Sequence, residues 1–218
     1  MPVSELARLT LRSGTEASSP ALLMNLAKAK EAMVEASGFE FWYYHCVEDP
    51  RVIFILGSWP SVEFHMQDFI ASEPNQELLT LLKDQITVDW MFHLDIAQTT
   101  HPLPLSRDMI AIARHFIKDG AKEAFKSTFE ARRYELESFL GKENMVGGWR
   151  IDAGYDPSEE DESRKEEFVL FTAWDSVEHH GEFAETEGFQ KYSQTRNHID
   201  RAEIKHAKLL QVGELVWK

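Results

Sequence analysis

Trp59-Pro60-Ser61-Val62-Glu63-Phe64-His65 and Trp174-Asp175-Ser176-Val177-Glu178-His179-His180 are the two stretches that decide how this chain folds. Five of their seven positions are identical, and two of the shared types, Trp and His, are rare, so chance explains the match poorly. The likeness runs outward from there. Upstream, Val52-Ile53-Phe54-Ile55-Leu56 lies opposite Glu167-Phe168-Val169-Leu170-Phe171. Downstream, Gln67-Asp68-Phe69 lies opposite Gly181-Glu182-Phe183 after a one-residue deletion in the second copy. Near the front, Ala7-Arg8 and Leu11-Arg12-Ser13-Gly14 match Ala113-Arg114 and Ile117-Lys118-Asp119-Gly120. Matched pieces in one order in both halves mark a tandem repeat.

Between the copies, Gln98-Thr99-Thr100-His101-Pro102-Leu103-Pro104-Leu105-Ser106 carries two prolines that oppose both helix and sheet, so it reads as a linker. The expected organisation is a first half over residues 1–97, a linker over 98–107 and a second half over 108–218.

Within the first half, periodicity predicts a strand over 5–11, then a helix over 21–36 with Ser19-Pro20 at its start and Gly38 at its end. An aromatic strand over 39–47 and its return over 52–59 form a hairpin. Ser61 caps a second helix to about Ser72, a short helix covers 77–83, and 86–96 alternates as the last strand. The second half repeats the order: strand 109–117, helix 121–140, hairpin strands 145–152 and 167–174, helix 176–186 and last strand 204–212. The acidic stretch 156–165 reads as a solvated hairpin loop, and Lys205, His206 and Lys208 interrupt the last strand. Each half is thus a βαββαβ unit with both helices on one sheet face. The other face would be bare apolar surface, and a Leu or Phe side chain gains ~1.5–3 kcal/mol from burial. Two copies in one chain meet that demand together. The expected fold class is α+β, with two tandem ferredoxin-like units whose antiparallel sheets pack into an intramolecular α+β barrel.

Of 218 residues, 43% are apolar and 28% charged, an ordinary globular balance, with a formal net charge of −14. That charge repels nucleic acid and anionic membranes alike. Cys46 is the only cysteine, which leaves no intramolecular disulfide. Met1-Pro2-Val3-Ser4-Glu5 has neither a basic nor an apolar leader region, and no run approaches a membrane span. A cytoplasmic protein is the expectation, with a homodimer of the fused pair left open.

The strand-Trp-x-Ser-Val-Glu-helix passage, present twice, resembles the dimeric α+β barrel superfamily, within it the antibiotic-biosynthesis-monooxygenase-like and stress-responsive groups. Its specific part covers Trp59 to Phe69, and Trp174 to Glu187-Gly188-Phe189-Gln190-Lys191-Tyr192. The resemblance implies a small-molecule pocket between sheet and helices in each unit. It also implies aromatic or polyketide substrates, cofactor-free oxygenation, cyclisation or isomerisation, and a place in fungal secondary metabolism; some relatives bind haem. Two histidine positions common in that superfamily fall here on Asp68 and Glu182, and near Asn75 and Gly188, so those histidines do not carry over.

Candidate residues emerge from their chemistry. His65 and His180 match between copies on the second helix, and an imidazole titrates near neutrality as a general base needs. His115 stands where the first copy has Leu9, an asymmetry that fits either one working pocket or a satisfied core histidine. Phe41, Tyr43 and His45 share one strand face, with Trp42 and Tyr44 on the other. A Tyr hydroxyl can donate to an oxyanion, although aromatics also favour strands for packing alone. His93 lies in register with Asp89 and Asp95, where a solvated polar face is the plainer reading. Arg8 and Arg114 match between copies and can bridge carboxylates. The expected substrate-binding residues are Trp42, Tyr44, Phe69 and Phe183, with Trp90, Trp149 and Arg150 at a pocket mouth, where core packing is the plainer alternative. Adjacent His179 and His180 make a poor chelate, so no metal is expected. No dinucleotide loop, phosphate loop or serine elbow appears. The expectation is a cofactor-independent enzyme with catalytic His115, His180, His65, Tyr43 and His45, its ligand an apolar or aromatic small molecule. A non-catalytic binding module, and less favoured a haem-binding barrel, are the alternatives.

Overall fold

The computed structural model describes the chain except for residues 106, 108, 154–164 and 214–218. The acidic hairpin loop expected over 156–165 therefore lies, but for Lys165, outside the described residues. The chain forms two compact units: Met1–His93 joined by the stretch from Ala207 onward, and Leu94–His206.

The first unit runs β1 (Val3–Leu11), α1 (Pro20–Ser37), β2 (Trp42–Cys46), β3 (Val52–Trp59), a π-helical turn (Phe64–Phe69), α2 (Glu73–Leu82) and β4 (Ile86–Leu94). Its strand order is β4-β1-β3-β2, and β3 is antiparallel to both neighbours. The second unit runs β5 (Met109–Ile117), α3 (Lys122–Leu140), β6 (Met145–Trp149), β7 (Glu167–Trp174), α4 (Val177–Ala184), α5 (Glu187–Tyr192) and β8 (Ile199–Leu210), in the order β8-β5-β7-β6. Each is a βαββαβ unit, as the repeat predicts.

The compact units depart from chain-order halves at the two last strands. Leu94 already bridges Arg150, and the Asp95 amide donates to the Trp149 carbonyl, so the end of β4 extends the second unit's β6 edge. Likewise Ala207 pairs with Cys46, so the end of β8 extends the first unit's β2 edge. Both long strands outrun their own sheets, and each outrun satisfies backbone groups that an edge strand would leave open.

Local chemistry accounts for the element ends. Pro20 opens α1 without losing a needed N–H, and Gly38 closes it at φ 74°, where its N–H reaches the Val34 carbonyl at 2.8 Å. The Ser19 side chain makes no capping bond, contrary to a serine N-cap reading; its carbonyl instead accepts from Leu23. Leu22, Leu26, Ala29 and Met33 bury one stripe of α1, and Phe125, Phe129, Leu136 and Leu140 one stripe of α3. Among the described residues no helix is long and apolar enough to cross a membrane.

The one-residue difference between the repeats has a structural answer. In the second unit the passage after Ser176 is an ordinary α-helix, capped by the Ser176 hydroxyl accepting from the His179 amide. In the first unit the same passage widens into a π turn, with the Ile70 amide reaching the His65 carbonyl at 2.9 Å. A π turn lets a helix absorb one extra residue without rotating the residues beyond it. Phe69 and Phe183 accordingly end in equivalent buried places. The hydroxyls of Ser72 and Thr186 then accept from Asn75 and Phe189 amides to start α2 and α5.

On β3, Gly57 faces Glu5 of β1 and lies under the Phe41 ring, which occupies the space a Cβ would need. Gly57→Ala therefore overpacks the site. We expect a loss of ~1–3 kcal/mol, read as a lower urea midpoint with an unchanged slope.

Candidate functional site

Each unit places the same three rings together. In the first, the His65 ring lies flat on the Trp59 indole at 4.0 Å, and His65 Nδ1 bonds His93 Nε2 at 2.8 Å. In the second, His180 lies on Trp174 at 4.1 Å, and His180 Nδ1 bonds His206 Nε2 at 2.7 Å. The tryptophan comes from the end of a strand, the first histidine from the helix beginning beyond it, and the second histidine from the last strand.

The units differ in how they satisfy the buried indole N–H. Trp59 Nε1 donates to Glu5 Oε2 at 2.5 Å, and His65 Nε2 lies 4.0 Å from the same oxygen. Trp174 Nε1 donates instead to the Thr172 hydroxyl at 2.7 Å. Register makes the exchange explicit. Two residues in from the Trp pairing, β1 and β3 set Glu5 opposite Gly57, while β5 and β7 set Ala111 opposite Thr172. The first unit thus holds a carboxyl where the second has a methyl group.

Burial raises the Glu5 pKa above the usual carboxylate range; the Trp59 hydrogen bond and the nearby His93 oppose the rise. Glu5, His65 and His93 are all buried. The Tyr43 hydroxyl is buried without a hydrogen-bond partner, and burial together with the Glu5 charge raises its pKa too. Glu5, Tyr43, His65, Phe69 and Asn75 line one cavity of about 420 Å³ between the sheet and α1 and α2, otherwise walled by residues such as Leu26 and Met33.

The second unit's cavity, about 640 Å³, takes His115, His180, His206 and Phe183. Burial lowers His180 to about 4, helped by the charges of His206 and His179. Burial also lowers His115 to about 4, against a contact from its Nδ1 to the Phe168 carbonyl at 3.3 Å.

The structure therefore divides the expected site residues. His65, Tyr43 and Phe69 meet in the first cavity; His115, His180 and Phe183 meet in the second. His45 joins neither, because its Nε2 is tied to the Pro50 carbonyl at 2.9 Å across the hairpin turn. Trp42 and Tyr44 point to the opposite face of β2 from Tyr43. Trp90 stacks on Phe92 at 5.2 Å, outside the first cavity. Trp149 and Arg150 line a shallow cleft beside Lys122, and Arg150 holds Asp152 at 3.0 Å. His93 does not share a face with Asp89. Asp89 takes Arg8 and Thr10, while His93 turns to His65, so strict alternation is broken between them. Arg114 grips Glu167 with two nitrogens, as a carboxylate-bridging arginine should. Glu5, His93 and His206 are the residues sequence reasoning missed. Glu5 shares its strand face with Val3, Ala7, Leu9 and Leu11, and a carboxylate in such a row was the available signal.

No family model matches the sequence, and no curated protein matches it. Solved structures do. A provisionally assigned monooxygenase from Fusobacterium nucleatum aligns at TM-score 0.63 and 9% identity, over 98% of this chain and 94% of that one. An anthrone oxidase-like protein aligns at TM-score 0.58 and 10% identity, over 97% and 92%. A chlorite dismutase variant from Candidatus Nitrospira defluvii aligns at TM-score 0.57 and 12% identity, over 95% and 90%. At such identities the likeness is one of fold alone: an α+β fold with antiparallel sheets and helices. A fold shared by proteins with such different names does not choose a chemistry; the site must.

His115 and His180 stay neutral in the fold until pH falls to about 4, whereas an unfolded histidine protonates near 6.5. Between those values the unfolded chain binds more protons, so stability falls as pH falls. Replacing His115 by the leucine its twin position carries removes one such group. We expect His115→Leu to flatten the loss of stability between pH 6.5 and 4 by ~1–2 kcal/mol, discounted for partial exposure, in urea titrations at stepped pH.

Proposed function

We propose that this chain is a small-molecule oxidative enzyme acting without flavin, nicotinamide or metal, and that the first unit's cavity is its active site. The substrate is a flat, apolar, aromatic or polyketide-derived molecule with a weakly acidic C–H beside a carbonyl. One observation carries the reading: a buried carboxyl, an imidazole whose ring nitrogen bonds a second histidine, and an unpartnered tyrosine hydroxyl line one apolar cavity. The shared fold of proteins named as a monooxygenase and as anthrone oxidase-like supports the reaction class.

The geometry suits proton abstraction. The basic member of the Glu5–His65–His93 group takes a proton from the substrate methylene. The Tyr43 hydroxyl donates to the oxygen where the enolate charge collects, and it has no other bond to break first. In a site with few polar walls that charge is held by fixed groups rather than water. The electron-rich carbanion then reduces O2 and recombines with it to a hydroperoxide. Loss of water leaves a carbonyl, so CH2 and O2 become C=O and H2O with no outside reductant. The imidazole pair returns the proton that the departing hydroxide needs.

Oxygen uptake with an anthrone or a comparable aryl ketone tests this. Glu5→Gln and His65→Ala are each expected to lower kcat/KM by ~10²–10⁴, and Tyr43→Phe to lower kcat by ~10²–10³. Binding of the ring system without oxygen uptake would make the protein a carrier instead. A cofactor-free enzyme should leave the Soret band of added haemin unshifted.

A further inference from the structure

We infer that the second unit's cavity is a separate binding site for a flat aromatic acid, a fused ring bearing a carboxylate or sulfonate, held without being turned over. The ligand class stands on this cavity alone; only the absence of turnover rests on the reaction assigned to the first unit.

At about 640 Å³ the cavity is larger than its twin, and Leu136, Leu170, Phe183 and Phe189 give it apolar walls. That is the lining a fused ring requires. Its polar groups are the imidazoles of His115, His180 and His206 with the hydroxyls of Thr172, Tyr192 and Thr195, and the position that carries Glu5 in the first unit is Ala111 here. No buried carboxyl stands at that place to oppose an anion.

Three charged side chains line the cavity, and two of them are paired: Asp200 with Lys165 and Arg201 with Glu203. Arg196 lines the cavity with its guanidinium 5.0 Å from the Phe189 ring centroid. It forms no ion pair with a described residue. Arg12 and Arg132 likewise bond a carbonyl and an amide oxygen rather than a carboxylate. Arg114, Arg133, Arg150 and Arg201 all hold carboxylates. Arg196 also acts inward, since its charge bears on both His115 and the buried Tyr192 hydroxyl. A guanidinium resting on an aromatic face at the edge of an apolar cavity presents a fork to an anion and a ring to its scaffold. An aromatic acid matches both.

Anilinonaphthalenesulfonate and the neutral phenylnaphthylamine are the probes, titrated by fluorescence into the full chain. The wild type is expected to bind both saturably. Arg196→Gln should weaken the sulfonate about tenfold and leave the neutral probe unchanged. Gly181→Phe should weaken both, because Gly181 lines the cavity and a Cβ there meets nothing within 4 Å; an unchanged urea midpoint checks that the variant folds. Wild-type affinity for the sulfonate in either variant overturns the site, and equal loss of both probes in Arg196→Gln overturns the acid preference. Glu5→Gln separates the two readings. It should abolish turnover and leave sulfonate binding intact; retained turnover sinks the first-unit reaction but not this site.

Discussion

A buried indole N–H must have an acceptor, and the arrangement of both units turns on which one it gets. An unsatisfied buried donor costs ~1–3 kcal/mol, so a tryptophan at the end of a core strand brings an oxygen with it. Trp59 takes a carboxyl and Trp174 a hydroxyl. A threonine hydroxyl adds no charge to the core. A carboxyl resists burial, holds its proton more tightly and changes every titratable group beside it. The buried carboxyl of the first unit, and the raised pKa of the Tyr43 hydroxyl near it, descend from that one choice of acceptor.

The choice is coupled to its surroundings. Thr172 supplies an oxygen from β7, so the facing residue on β5 can be Ala111. Gly57 supplies none from β3, so the facing residue on β1 must do it, and Glu5 does. Glycine at 57 also admits the Phe41 ring, which meets Trp59 edge-on at 5.1 Å and closes that side of the site. The extra helical residue belongs with this arrangement. The π turn returns Phe69 to the core, while His65 meets Trp59 and His93 as His180 meets Trp174 and His206 without one. Fusing two copies in one chain lets each keep a different solution, which two identical chains could not do.

The repeat, the βαββαβ order and the matched histidines were legible because they are written locally, in periodicity and in a seven-residue motif. Helix ends followed from Pro20 and Gly38 for the same reason. The partners of those histidines were not legible. His93 and His206 come 28 and 26 residues after theirs, and each looks like a polar fault in a strand rather than half of a pair. Glu5 was passed over as the start of β1, although its row is otherwise apolar. His45 shows the opposite error, a histidine on the favoured strand face whose ring nitrogen is spent on a turn carbonyl. The trade of strand ends between units was also hidden, because pairing across an edge depends on strand length beyond the sheet and not on the pattern within it.

Desolvation is the physical basis of the proposed action of the first cavity on weakly acidic C–H bonds. In water a carboxylate is too weak a base to remove such a proton. Taken out of water it regains basicity, because the charge it sheds on protonation is no longer solvated. Trp59 then prevents Glu5 from holding its proton too firmly, since the indole bond favours the charged form. Basicity raised by burial and checked by one hydrogen bond is a combination the second unit lacks at Ala111 and Thr172, and it is the physical argument on which the proposed placement of the chemistry in the first unit rests.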